Sequence, residues 1–114
     1  GAQSYPSYWA RLALNGDRAA GAAACAVNFP VWGRMCSRLS AALAHHIYKG
    51  DADQSDSLLA FIDFFAAPIA GLDDMAVAVI EDAGCPPYAD LIGPVRLLQA
   101  YEVEFWNAVF EGGE

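Results

Sequence analysis

An all-α fold, a bundle of four to six helices in a single domain over residues 1–114, follows from three features of the sequence. Apolar residues recur at spacings of three and four, and no segment alternates apolar and polar residues as a half-buried strand would. Twenty-three of the 114 residues are alanine, the strongest helix former, which also allows helices to approach closely. Proline, glycine and the Asn15-Gly16 pair punctuate the chain between the periodic segments.

Taken in order, a short helix is predicted over Ser7–Leu14, ended by Asn15-Gly16. A long helix starts at the N-cap candidate Asp17 and runs towards His46. Proline lacks a backbone N–H and disfavours helical geometry just before it, so Asn28-Phe29-Pro30 is expected to kink or break this helix. Beyond it, Val31, Met35, Leu39, Leu43 and Ile47 recur every four residues as one buried stripe. The stretch from Lys49 to Ser57 reads as a polar loop, with Ser55 or Asp56 capping a helix from Ser57 to Ala67. Leu58, Phe61, Ile62 and Phe65 form its inward face, and Pro68 stops it. A shorter helix begins at Asp73 and ends near Gly84, with Leu72, Ala76, Val79 and Ile80 inward. Cys85-Pro86-Pro87 is a rigid turn. The last helix covers about Asp90 to Phe110, with Pro94 tolerated in its first turn.

Composition excludes several classes of function. The hydrophobic share is 56%, high for so short a chain, and hints at surface covered by another copy or at a piece of a larger helical fold. The longest alanine-rich stretch without a charge, Ala19 to Gly33, carries Asn28 and Pro30 and is too short to span a bilayer. No basic segment followed by an apolar run marks a signal peptide. The formal charge of -8 argues against nucleic acid and anionic membranes as partners. That charge is uneven: residues 1–50 carry five basic groups against Asp17, and residues 51–114 carry thirteen carboxylates against Arg96. Opposite signs suit one half docking on the other or head-to-tail self-association, and equally suit solvated helix faces. Cys25, Cys36 and Cys85 lack metal-ligand spacing and read as reduced, buried thiols of a cytoplasmic protein.

One residue of the last helix stands out. At about 100° per residue, Leu91, Val95, Leu98, Phe105 and Val109 fall in one apolar arc, and Glu102 projects inside it while Glu104 points to the polar flank. A carboxylate on a core face is costly to bury unless it is paired or hydrogen-bonded. Three readings account for it: an anchor for a ligand or an acid/base group, a structural pair with Arg34 or Arg38, or a stripe that reaches solvent near its end. Aromatic residues gather in the same regions, namely Phe29, Trp32, Phe61, Phe64, Phe65, Tyr101, Phe105 and Trp106, and either wall a pocket for a flat ligand or fill a core. His45-His46 is not a metal site, because adjacent helical residues diverge by about 100°. Asp73-Asp74 is ordinary acidic placement at a helix start. No catalytic triad, phosphate-binding glycine loop or zinc pattern is present, and no metal or cofactor is expected.

Three segments together resemble the TenA/THI-4 family, the thiaminase II-like branch of the haem-oxygenase-like helical fold. Tyr101-Glu102-Val103-Glu104-Phe105-Trp106 is similar to that family's closing-helix signature, a Glu three residues before Phe-Trp. Phe61-Ile62-Asp63-Phe64-Phe65 resembles its aromatic-Ile-Asp-x-aromatic element, and Ala22 to Leu39, with Asn28-Phe29-Pro30-Val31-Trp32-Gly33, resembles its central helix. The resemblance covers about residues 17–110 and implies the C-terminal part of that fold, in a chain about half the family's length. It also implies that Glu102 corresponds to the family's active-site acid, which handles protons on a pyrimidine ring. Hydrolytic members carry a nucleophilic Cys where this chain has Pro30, and their pocket tyrosine is Phe65 here, so cysteine-dependent thiaminase chemistry is not expected.

The expected function is therefore binding or transformation of a small flat heterocyclic or aromatic molecule in a helical pocket. Glu102 is the acid/base or hydrogen-bond anchor, and Trp32, Arg34, Phe61, Phe65, Tyr101, Phe105 and Trp106 contact the ligand. The alternative is a non-catalytic helical module that self-associates or completes a partner subunit, and the two are compatible if association builds the pocket.

Overall fold

The computed structural model describes residues 2–47 and 57–112, and within them the chain is all-α. Five helices follow in order: α1 (Ser4–Leu14), α2 (Arg18–His46), α3 (Ser57–Ala66), α4 (Leu72–Asp82) and α5 (Tyr88–Phe110). Two compact units emerge, one made of Gly1–Asn28 with Gly71–Glu114 and the other of Phe29–Ala70. Helix α2 belongs to both, and the division falls one residue before Pro30. The expected caps Ser55 and Asp56 and the loop from Lys49 lie outside the described residues.

The first unit is organised by α1, the first part of α2, α4 and α5. Helix α1 starts at Ser4, not Ser7, so Pro6 sits in the first turn, where its missing N–H has no intrahelical partner to lose. Gly16, with φ +67°, ends it in the left-handed region that glycine adopts without penalty. Asp17 then caps α2 as expected, its carboxylate accepting a hydrogen bond from the Ala20 N–H at 3.0 Å. Ala20 and Ala24 are fully buried one turn apart, and with Leu12, Val95 and Leu98 they form the core of this unit. Tyr5, Tyr8 and Trp9 of α1 pack against that core, and α1 lies against α5. Methyl-sized side chains on α2 thus leave room for the aromatic residues of α1.

Helix α4 ends in a Schellman motif, the Cys85 N–H donating to the Ile80 carbonyl and the Gly84 N–H to that of Glu81, both at 3.0 Å. The following Cys85-Pro86-Pro87 turn is as expected, but Cys85 is exposed, so the expectation of three buried thiols holds fully only for Cys36. Exposed Arg18 and Asp82 pair at 2.9 Å, a surface contact that contributes little to stability.

Two prolines behave differently from expectation. Helix α2 continues through Pro30 from Arg18 to His46, so of the expected kink or break there is no break. An interior proline costs about 3 kcal/mol. Helix α5 begins at Tyr88, two residues before the expected start, which puts Pro94 in its second turn.

In the second unit, α3 lies against the second part of α2. A Cβ on Gly33 would meet the Phe65 carbonyl oxygen at 3.2 Å, so the absence of a side chain there lets the end of α3 approach the backbone of α2. Ser40 of α2 donates a hydrogen bond to Asp63 of α3. The inward faces differ from those read from four-residue spacing. On α2 the buried positions are Gly33 and Cys36, whereas Leu39 and Ile47 are exposed and Val31, Met35 and Leu43 are half-buried. On α3 the buried residues are Leu59 and Ile62, whereas Leu58, Phe61 and Phe65 point outwards. Glycine at the crossing rotates the contact face towards it, which a count of apolar side chains cannot register. On α4 Ala76 is buried and Leu72 and Ile80 are half-buried as expected, with Val79 exposed.

Candidate functional site

The site is built from three helices of the first unit around Glu102. In α5, Val95, Leu98 and Glu102 are the buried residues, one face at helical spacing, with Glu102 only 3% exposed. Its carboxylate therefore leaves water and needs donors. Asn28, 1% exposed on the α2 face that carries Ala20 and Ala24, donates through Nδ2 to Oε2 of Glu102. One turn along α5, the Trp106 indole Nε1–H donates to Oε1 at 3.1 Å. Two neutral donors thus fill the role that the sequence reading considered for Arg34 or Arg38.

A second layer leads outwards from Asn28. The Tyr5 hydroxyl of α1 donates to its Oδ1, and Trp9 donates in turn to the Tyr5 oxygen. Every donor in the series Trp9, Tyr5, Asn28 points towards the carboxylate, and Trp106 completes it from the other side. The direction is dictated by chemistry: indole only donates, a carboxylate only accepts, and amide and phenol can pass the bond along. Burial pushes the Tyr5 phenol above its ordinary value, and the neighbouring Glu102 charge adds to that, so Tyr5 keeps its proton and remains a donor at neutral pH.

Aromatic rings surround this polar line. Tyr5 lies 5.9 Å from Phe105 and 6.4 Å, edge to face, from Trp9. Phe105 meets Trp106 at 5.3 Å, and Tyr8 meets Tyr101 at 5.5 Å. Tyr5, Tyr101, Phe105 and Trp106 are half-buried, so the line runs from a sealed carboxylate to rings that reach the surface. Such an arrangement offers a flat molecule half-buried rings to stack against, above a carboxylate whose orientation its two donors fix.

Of the residues singled out in the sequence, Glu102, Tyr101, Phe105 and Trp106 come together in the first unit. Trp32, Arg34, Phe61 and Phe65 belong to the second. Phe61 and Phe65 meet edge to face at 5.1 Å on the outer side of α3. Exposed His45 and His46 touch edge to face at 4.7 Å, and among the described residues no group of three His, Cys, Asp or Glu could hold a metal.

Sequence reasoning missed Tyr5, Trp9 and the role of Asn28. The signal for Asn28 was present: Ala20, Ala24 and Asn28 repeat every four residues, so an amide occupies the next position of a small-residue core stripe. Expecting a break at Pro30 hid it. For Tyr5 no comparable signal exists, because its position ahead of Pro6 placed it outside the expected helix. No helix of the described residues is long and apolar enough to cross a membrane. In comparisons with known proteins, no family model, curated protein or solved structure matches the chain.

Proposed function

We propose that this chain is a cytoplasmic, TenA-like protein that binds or transforms a small flat heterocycle, with Glu102 as its polar anchor. The observation that carries this reading is the buried carboxylate of Glu102 held by Asn28 and Trp106, with Tyr5 behind Asn28. An apolar core made of alanine, valine and leucine gains nothing in packing from an Asn–Glu pair, whose replacement by hydrocarbon of similar shape is nearly neutral or stabilising. A function is the economical account of why the pair is there. In this reading the rings of Tyr5, Tyr101 and Phe105 stack on the ligand, and Glu102 hydrogen-bonds or exchanges a proton with a ring nitrogen. Asn28 and Trp106 fix the orientation of the carboxylate. Cysteine chemistry has no part in this reading: Pro30 stands where the resembled family places its nucleophile, Cys25 is half-buried, Cys36 is buried, and exposed Cys85 lies in the turn before α5.

The test is titration calorimetry with an aminopyrimidine, set beside native mass spectra of the freshly purified chain. Binding by the parent protein that weakens tenfold or more in Glu102→Gln, with helix content unchanged, supports the reading. Equal affinity and equal turnover in parent and Glu102→Gln would end it.

A further inference from the structure

The second unit exposes a surface that the Glu102 site does not use. Helix α3, Ser57–Ala66, reads Ser-Leu-Leu-Ala-Phe-Ile-Asp-Phe-Phe-Ala and is apolar almost all round. A helix of that kind is ordinarily covered on every side. Against α2 it turns Leu59, Ile62 and Ala66, together with Asp63, which accepts the Ser40 hydrogen bond. On the remaining side Phe64, Phe61, Phe65 and Leu58 follow one another within about 120° of arc at the helical turn angle. Phe64 is 75% exposed and Phe61 63%, while Leu58 and Phe65 are also open to solvent. The three rings meet edge to face, Phe61 with Phe65 at 5.1 Å and Phe64 with Phe65 at 5.2 Å, so they form one contiguous aromatic surface and not three separate side chains.

We infer that this phenylalanine face of α3 is the contact by which two copies of the chain pair across a twofold axis. Charge on this face does not oppose a second copy. In a twofold contact the same patch meets itself, so a patch carrying charge of one sign would repel itself. The chain carries a net charge of -8, yet the only charged residue of α3 is Asp63, which is turned towards Ser40 and lies about 100° of arc from Phe64. Among the described residues of α3, no carboxylate therefore lies on the face that would meet its copy.

Area is consistent with the same occupant. At about 200 Å² for a phenylalanine, the exposed parts of the three rings and of Leu58 come to roughly 450 Å². Two copies face to face then bury about 900 Å² before any rim residue is counted, close to the roughly 1,000 Å² at which specific interfaces begin. The face is also aromatic, as the energetic centres of interfaces tend to be.

The experiment is sedimentation velocity of the 114-residue chain from 1 to 200 µM, beside Phe64→Glu, Phe64→Lys and an equimolar mixture of the two. The expected result is a concentration-dependent dimer for the parent. Its dissociation constant rises about 30-fold or more in either variant alone, and the mixture recovers dimer. Because Phe64 is exposed, circular dichroism should show the same helix content throughout. A parent that stays monomeric at 200 µM, or dimers that persist in both single variants, would overturn the proposal. A parent dimer lost in both variants but not recovered in the mixture would overturn the twofold geometry. Since Glu102 and its partners are untouched, aminopyrimidine titration of the same variants reports separately on the proposed function.

Discussion

The two units solve the problem of a helical core in opposite ways. In the first, small residues lie at the centre and large ones ring them: Ala20 and Ala24 on α2 let Leu12, Leu98 and the aromatic residues of α1 close over the interior, and a polar line threads through to Glu102. In the second, the close approach is at backbone level, Gly33 against the end of α3, and the large residues face out. The contrast teaches that apolar content alone does not measure a core. Helix α3 is the more apolar element by sequence, yet Leu59 and Ile62 are its buried residues. Helix α5 carries four charged side chains and still supplies Val95, Leu98 and Glu102 to the interior.

The sharpest way to break this contrast is a pair of truncations. Leu98 is fully buried, so Leu98→Ala removes contacts on every side and leaves a cavity. The expected loss is about 3 kcal/mol in urea denaturation. Phe64→Ala deletes more atoms, but from an exposed position on α3. At concentrations low enough to keep the chain monomeric it should change stability by no more than about 0.5 kcal/mol. Equal losses in the two variants would mean that the phenylalanine face is covered within one chain, and the contrast would fall.

The polar line offers the next largest effect. Asn28→Leu deprives the Tyr5 hydroxyl of its acceptor and Oε2 of Glu102 of its donor inside a sealed interior. A cost of about 2–3 kcal/mol is expected. Adding Glu102→Leu should recover part of that loss, because the double variant no longer buries an unsatisfied carboxylate. A double-mutant cycle read by denaturation measures the coupling. Strict additivity would show that the two side chains do not share a hydrogen bond in solution.

How far the chain could be read in advance divides along the same boundary. Five helices, the Asp17 cap and the inward position of Glu102 were legible, because each rests on local pattern: apolar spacing, a capping residue, a carboxylate inside an apolar arc. The inward faces of the second unit were not. Reading them requires knowing that α2 and α3 cross at a glycine, and a residue without a side chain contributes nothing to a hydrophobic stripe. The partners of Glu102 were half legible. Asn28 continues the Ala20–Ala24 stripe, whereas Tyr5 reaches it across 23 residues of sequence, a distance over which periodicity carries no information.

Two glycines of α2 sharpen the comparison at about 1 kcal/mol. Around Gly21, in the first unit, nothing lies within 4 Å of the position a Cβ would take. Gly21→Ala should therefore stabilise the protein by about 0.5–1 kcal/mol through helix propensity alone. Gly33→Ala gains the same propensity but sets a Cβ 3.2 Å from the Phe65 carbonyl oxygen, a backbone atom that moves only with the end of α3. The net effect expected is a loss of about 1 kcal/mol. Thermal melts of the two variants should move in opposite directions, and a shared upward shift would show that the crossing is looser than the backbone distance implies.

The smallest effect expected is a pH dependence confined to the alkaline side, and its sign follows from the direction of each shift. Burial raises the Tyr5 phenol, the Tyr8 phenol and the Cys25 thiol above their ordinary values in the folded chain. A group that holds its proton more tightly when folded stabilises the fold until the unfolded chain begins to lose that proton. Stability is thus unaffected by these groups at neutral pH, declines from about pH 9 as the thiol of the unfolded chain ionises, and declines more steeply from about pH 10 as the phenols do. All three residues lie in the first unit, where partial burial is the leading cause of each shift, and Tyr5 is additionally opposed by the Glu102 charge. Tyr5→Phe should lower stability at pH 7 by about 1 kcal/mol, because Asn28 Oδ1 loses its donor, and should flatten the decline above pH 10. A decline equally steep in Tyr5→Phe would assign the alkaline sensitivity to Tyr8, at the edge of the core, and would leave the polar line indifferent to alkali.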